Sequence, residues 1–260
     1  MAVTNFIQQI WSKKIQDDLE LKCKLVDNCL RDYEGDCKYA QSVKILGVGE
    51  PTIGDYDNTK DIAIEEMTDR GQILTIDQAK YFAFYVDDVD QAQSVPGLKE
   101  KYQAKAVHGL AVARDSYVAE LIASATNKTT IAEQTEEGFK AAVDAAIVAL
   151  RERNFDEEGV IEITPASYNL FKNQLITLST NNPEYIKKGI VGVYDGFDVI
   201  MSNNLKTPGC VRGKKAIAFA GQINEVEALR AEKRFKDIVR GLDTFGAKVI
   251  DEARIQVLTA

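Results

Sequence analysis

The chain has 260 residues, 45% hydrophobic and 28% charged, with 40 acidic against 32 basic side chains and a net charge of −8. This length and balance allow a substantial core, in one large domain or two modest ones. The acidic excess argues against a dedicated nucleic-acid binder, whose affinity comes mainly from neutralising phosphates, but permits a protein that sits beside nucleic acid without holding it.

Residues 4–30 read as a helical arm. Thr4 or Asn5 can cap it, and Phe6, Ile10, Trp11, Ile15, Leu19, Val26 and Leu30 form a broken apolar stripe among charges. The opening MAVTNFIQQIWSKK lacks the basic-then-apolar layout of a signal peptide, and no run of about 18 apolar residues exists to span a membrane. Such an arm can pack on its own domain or on a neighbouring chain.

From Tyr33 to Val86 the texture is β. Val43, Ile45 and Val48 are strand-like, and a turn-rich passage runs from Gly49 to Tyr56. Residues 61–68 and 72–77 alternate around Asp69-Arg70-Gly71, which predicts a long charged hairpin. Two-stranded ribbons are marginal alone, so this one folds back on its own domain or lies on another subunit. The stretch Lys80 to Val86, KYFAFYV, is apolar on both faces and predicts a buried strand.

A helix over 96–125 dominates the chain. Pro96 suits its first turn, Ser94 its N-cap, and Leu98, Tyr102, Ala106, Leu110, Ala113, Tyr117 and Leu121 its apolar stripe. A second helix covers 136–153, capped by Thr135, with Phe139, Ala142, Val143, Ala146, Ile147 and Leu150 inward. A short buried strand spans 159–164, and a helix restarts at Pro165 and runs to about Leu175. Ile190–Tyr194 and Phe197–Ser202 form a hairpin across Asp195-Gly196. Strand-like segments follow at 216–220, 223–229, 244–250 and 254–258. Strands and helices intersperse without a βαβ rhythm, so the fold class is α+β.

Residues with chemical potential do not converge. Asp87, Asp88 and Asp90 lack the glycine and later glutamate of a calcium loop, and fit a turn or helix start. Gly47-Val48-Gly49 is followed by Pro51 instead of a helix, so it is a turn, not a dinucleotide loop. His108 is the only histidine, and a partly packed structural role suits it better than a triad. Cys23, Cys29, Cys37 and Cys210 have no CxxC spacing, so no metal site and no cofactor is expected, and the thiols read as reduced. Asn127-Lys128-Thr129 matches a glycosylation sequon, which has no bearing without a secretory route. Arg230, Lys233, Arg234, Lys236 and Arg240 form a basic cluster tempered by Glu232 and Asp237, either a solvated face or a surface for pairing with acidic patches on another subunit. No catalytic residue is assigned.

Several passages together resemble a known pattern. They are Tyr33-Glu34-Gly35, the run Asp77 to Phe84 leading into Val86 to Ala92, Gly196-Phe197-Asp198-Val199 before Ser202-Asn203-Asn204, Glu232-Lys233-Arg234-Phe235, Gly241-Leu242 and Gly246-Ala247-Lys248-Val249. Their order and spacing are similar to the tailed-bacteriophage major capsid (coat) proteins of the Hong Kong 97 fold. The resemblance implies an N-terminal arm over 1–32, an extended loop over 33–80 that reaches over a neighbouring subunit, a peripheral domain from 81–130 and 221–260 with 96–125 as its spine helix, and an axial domain over 131–220. In the axial domain, the loop 181–188 would meet its copies around the capsomer axis. It further implies self-assembly through hexamers and pentamers into an icosahedral shell around double-stranded DNA. A scaffolding protein and a portal would be partners, assembly would occur in the bacterial host cytoplasm, and no membrane would be involved. The sequence starts at the expected arm, which leaves a separate scaffolding protein or an upstream segment already removed both open, and the lysine–asparagine crosslinks of the type member are not carried over. The interface residues expected are Glu65, Glu66, Asp69 and Arg70 on the hairpin and Arg230, Lys233, Arg234 and Lys236 in the basic cluster. An encapsulin-type nanocompartment with the same fold is the alternative, and a hydrolase using His108 or the Asp87–Asp90 cluster is a third reading.

Overall fold

The computed structural model describes residues 23–34, 42–45, 71–87, 98–172, 190–230 and 236–259. The strands are β1 (Ser42–Ile45), β2 (Gln72–Thr75), β3 (Gln78–Asp87), β4 (Lys128–Thr130), β5 (Gly159–Ile163), β6 (Ile190–Tyr194), β7 (Phe197–Met201), β8 (Gly209–Gly213), β9 (Ile217–Arg230), β10 (Lys236–Val249) and β11 (Ile255–Thr259). The helices are α1 (Leu98–Ser124), α2 (Glu136–Arg151) and α3 (Pro165–Phe171). Among these residues the strands form a two-stranded ribbon β1-β2, an antiparallel sheet β3-β10-β9, and a six-stranded mixed sheet β4-β11-β8-β5-β7-β6. The α+β reading agrees with this mixture.

The six-stranded sheet is a wall between two cores. On one face α2 lays down Phe139, Val143, Ile147 and Leu150 against Ile161, Val199, Val211 and Leu258. The inward residues of α2 are the six its 3.6-residue period predicts, and Thr135 caps it by accepting from the Gly138 N–H. On the other face Cys210, Ile255 and Val257 meet the C-terminal half of α1, and Leu25, Val26 and Cys29 lie in the same core. Neighbouring residues on β8 and β11 therefore serve opposite cores, as the two-residue period of a strand requires. The β6–β7 hairpin turns through Asp195 (φ 49°) and Gly196 (φ 85°), the left-handed pair that a tight two-residue turn needs.

The structure corrects four sequence expectations. The buried stripe of α1 is Val107, Leu110, Ala111, Arg114, Asp115, Val118, Ala119 and Ile122. Ala106, Ala113, Tyr117 and Leu121 lie half-buried beside it, and Tyr102 is exposed. Hydropathy misplaced the stripe because two charged residues, Arg114 and Asp115, face inward at its middle.

Second, β3 is not buried on both faces. Phe82 and Phe84 pack toward α1, whereas Tyr81 is 80% and Tyr85 67% exposed. As an edge strand of a sheet covered on one face by α1, it buries only alternate residues.

Third, residues 23–34 are not helical. They hold one 3-10 turn, Val26–Asn28, and then Leu30 bridges to Ala218 in parallel. The expected helix over 4–22 lies outside the described residues.

Fourth, the separate segments 216–220 and 223–229 are one strand of 14 residues, and β10 has the same length. Pairing to a neighbour along the whole length holds the chain extended through Gly221, Gly241 and Gly246. The strands β4 and β8 were not expected at all.

The base of the ribbon folds on its own subunit. Val43, Ile45 and Leu74 bury against Ala218 and Ala220 of β9, and the Gln72 side-chain amide donates to the Ile250 carbonyl at 2.9 Å. Gly246 permits the crossing: a Cβ there would lie 2.1 Å from the Thr75 carbonyl oxygen. Of the expected hairpin, the first strand 61–68 lies outside the described residues, as does the turn passage 49–56, while the second strand 72–77 contains β2, which pairs with β1.

Candidate assembly surface

Alternation on β3 and β10 gives their sheet two unlike faces. Val239, Asp243, Phe245 and Ala247 of β10 turn inward toward α1. The outward residues are Arg240 and the 41% exposed Leu242, which register beside Ala83 and Tyr81, and Ile238 registers beside Tyr85. The result is an outward patch of two tyrosines and a leucine around an arginine. Clustered Tyr and Arg in water are the residue types that protein interfaces favour.

Behind this face the sheet is tied to α1 by a buried ion pair. Arg114 donates from Nε to Asp243 Oδ2 at 2.9 Å and from Nη2 to Oδ1 at 2.5 Å. Its guanidinium also lies 5.7 and 5.9 Å from the ring centroids of Phe219 and Phe245. Burial pushes the Asp243 carboxyl up, and the Arg114 contact pulls it back toward the charged form. The β9–β10 pairing shifts register beside Leu242/Asp243, passing over Asn224.

Two further buried charges hold residues 24–29. Asp115 of α1 accepts from the backbone N–H groups of Lys24 (3.0 Å), Leu25 (3.1 Å) and Val26 (3.3 Å) and from the Asn204 amide (3.3 Å). Burial pushes its carboxyl up, against the pull of those donors. Arg212 of β8 donates to Glu162 of β5 at 3.1 and 2.6 Å, both side chains having no exposed surface. The same guanidinium donates to the carbonyls of Asn28 (2.8 Å) and Leu25 (3.1 Å). Burial pushes the Cys29 thiol, beside Arg212, up to about 11.

None of these five charges (Arg114, Asp115, Glu162, Arg212, Asp243) was singled out from sequence. The signal available was a lone charge in an apolar window, as in Gly-Val-Ile-Glu-Ile at 159–163 or Cys-Val-Arg at 210–212. A buried charge of that kind needs a partner.

Of the residues expected at interfaces, Glu65, Glu66, Asp69, Arg70, Lys233 and Arg234 lie outside the described residues. Arg230 ends β9 and Lys236 begins β10, in register with Asp237 and Asp87 respectively. His108 is exposed on α1, not partly packed. The sequon residue Asn127 donates its amide to the Glu252 carbonyl at 2.7 Å. Asp88, Asp90 and the Gly47–Gly49 turn lie outside the described residues. Among the described residues no three His, Cys, Asp or Glu side chains gather as a metal ion would require, and no helix is long and apolar enough to cross a membrane.

No protein-family model and no curated protein sequence matches the chain. Solved structures do. A chain from Mycobacterium phage Che8 matches at 26% identity and a TM-score of 0.70, over 90% of each chain. The capsid structure of cyanophage P-SCSP1u matches at 18% identity and a TM-score of 0.69, over 89% of this chain and 86% of that one. A virus-like particle from Pyrococcus furiosus matches at 13% identity and a TM-score of 0.61, over 97% and 99%. With phage and capsid structures aligned along nearly its whole length, the chain has the major capsid protein fold of tailed bacteriophages.

Proposed function

We propose that this chain is a major capsid protein that assembles with copies of itself, through hexamers and pentamers, into an icosahedral shell around double-stranded phage DNA. The observation that carries the reading is the 26% identity and 0.70 TM-score to a phage chain over 90% of both lengths. In this reading the organisation is that of the Hong Kong 97 type. Residues 1–32 are the arm, 33–80 the extended loop, 81–130 with 221–260 the peripheral domain, and 131–220 the axial domain. The work is mechanical, without catalysis or cofactor. A scaffolding protein and a portal are the expected partners.

The physics is consistent with a shell subunit. The outward Tyr81–Tyr85–Leu242 face and the charged segment carrying Glu65, Glu66, Asp69 and Arg70 are surfaces for neighbouring copies, and the basic residues Arg230, Lys233, Arg234 and Lys236 for acidic patches on them. Symmetry repeats each contact many times, so individually modest contacts suffice. A net charge of −8 keeps the shell from clamping the DNA it must release.

Electron microscopy of the purified protein tests the proposal. Shells or ring-shaped capsomers are expected, and a monomer that never assembles across a range of salt concentrations rejects it. Reversing charge at Glu65, Glu66, Asp69 or Arg70 should abolish assembly and leave the subunit fold intact by circular dichroism.

The Pyrococcus virus-like particle match favours a second reading, an encapsulin-type compartment around protein cargo. Shells purified with nucleic acid inside support the capsid, and shells filled with a co-expressed cargo enzyme support the compartment.

A further inference from the structure

We infer that Asp115 and Arg212 form a two-sided latch on residues 24–29, and that this latch sets the angle between α1 and the six-stranded sheet. The latch is complementary in chemistry. Asp115, on the helix, takes backbone donors: the N–H groups of Lys24, Leu25 and Val26. Arg212, on the sheet, takes backbone acceptors: the carbonyls of Leu25 and Asn28. Leu25 is gripped from both sides, its N–H by the helix and its carbonyl by the sheet, and has no exposed surface.

The segment sits in the core that α1 shares with β8 and β11, so its side chains fill the space between helix and sheet. Its other ties run to the end of β7 in the six-stranded sheet and to β9 in the three-stranded sheet. Lys24 Nζ donates to the Met201 carbonyl at the end of β7, and Asn204, just beyond, donates to Asp115. Leu30 exchanges backbone bonds of 2.9 Å with Ile217 and Phe219 at the start of β9. An ordinary core contact would be hydrophobic. Here a carboxylate and a guanidinium, each fixed in a different element, are given to a stretch of main chain with no side-chain specificity. Such a contact opens and closes as a unit, because releasing the segment leaves both buried charges short of partners at once. Residues 24–30 then report on the junction. The inference concerns the single subunit and stands whether or not subunits form a shell.

The test uses the full-length subunit before assembly. Asp115→Asn keeps the shape and one acceptor oxygen but cannot serve three backbone donors. Arg212→Lys keeps a cation against Glu162 and gives up the fork that reaches Leu25 and Asn28. Alkylation by iodoacetamide, mapped by mass spectrometry, reads Cys23 and Cys29. Spin labels on ketone-bearing side chains at positions 108 and 148, which spare the cysteines, read the distance between α1 and α2 across the junction.

Both variants should alkylate Cys23 and Cys29 on the order of tenfold faster or more. The label distance should broaden or shift, with hydrogen exchange of α2 and β5 unchanged. Wild-type protection of both cysteines in either folded variant overturns the inference. So does an unchanged distance distribution once the cysteines have opened. If neither variant folds, these charges are simply core to the subunit and the latch is rejected.

Discussion

Glu162→Gln gives the sharpest quantitative test of the buried charge. Glu162 and Arg212 have no exposed surface and share two hydrogen bonds, of 3.1 and 2.6 Å. Glutamine preserves the shape and one acceptor, so little packing is lost. What changes is electrostatic: the guanidinium keeps its charge in the sheet interior without a counter-charge. Breaking a buried pair from one side costs about 3–5 kcal/mol, a third or more of the stability of many domains. Removing both charges in Glu162→Gln/Arg212→Met should not restore wild-type stability. The Asn28 carbonyl then loses its Arg212 donor, at about 1–3 kcal/mol if left without a substitute, while the Leu25 carbonyl keeps the Asn28 N–H at 3.2 Å. Urea denaturation of dissociated subunits, followed by circular dichroism, measures both. A loss under about 1 kcal/mol for the single variant would refute the argument, since it would mean that water reaches the guanidinium.

Three further outcomes follow from the geometry. Burial pushes the Cys29 thiol from 9.0 to about 11 and raises Cys23 and Cys210 further, so these thiols should alkylate slowly in native subunits and quickly in urea. The unfolded thiol ionises near 9.0 and the folded one only near 11, so this contribution to stability is complete below pH 9 and is lost as pH rises through 11; denaturation midpoints across that window check the sign. Gly246→Ala places a methyl against the Thr75 backbone and should cost about 1–3 kcal/mol, with faster hydrogen exchange at Val43, Ile45 and Leu74 but not in α2. Tyr81→Asp and Tyr85→Asp should leave subunit stability within about 0.5 kcal/mol of wild type and reduce assembly, whereas normal shells from both variants would remove the outward face from the list of contacts.

Periodicity and turn chemistry determined much of the local structure. The six inward residues of α2, the Thr135 cap, Pro165 at the start of α3 and the Asp195-Gly196 turn were legible because each depends on neighbours within a few positions. The long α1 was legible as a helix, and the ordered motifs from Tyr33 to Val249 carried the resemblance to capsid proteins that the solved structures support. Tertiary structure decided which way things face. The stripe on α1 moved because Arg114 and Asp115 find Asp243 and the backbone of residues 24–26, partners 129 and about 90 positions away in the chain. Tyr81 and Tyr85 stayed in water because β3 took the edge of its sheet, where Phe82 and Phe84 pack toward α1 and the opposite face is open. Hydropathy assigns a charge to the surface by default, and only the assembled fold supplies the opposite charge or main-chain donors that let it turn inward.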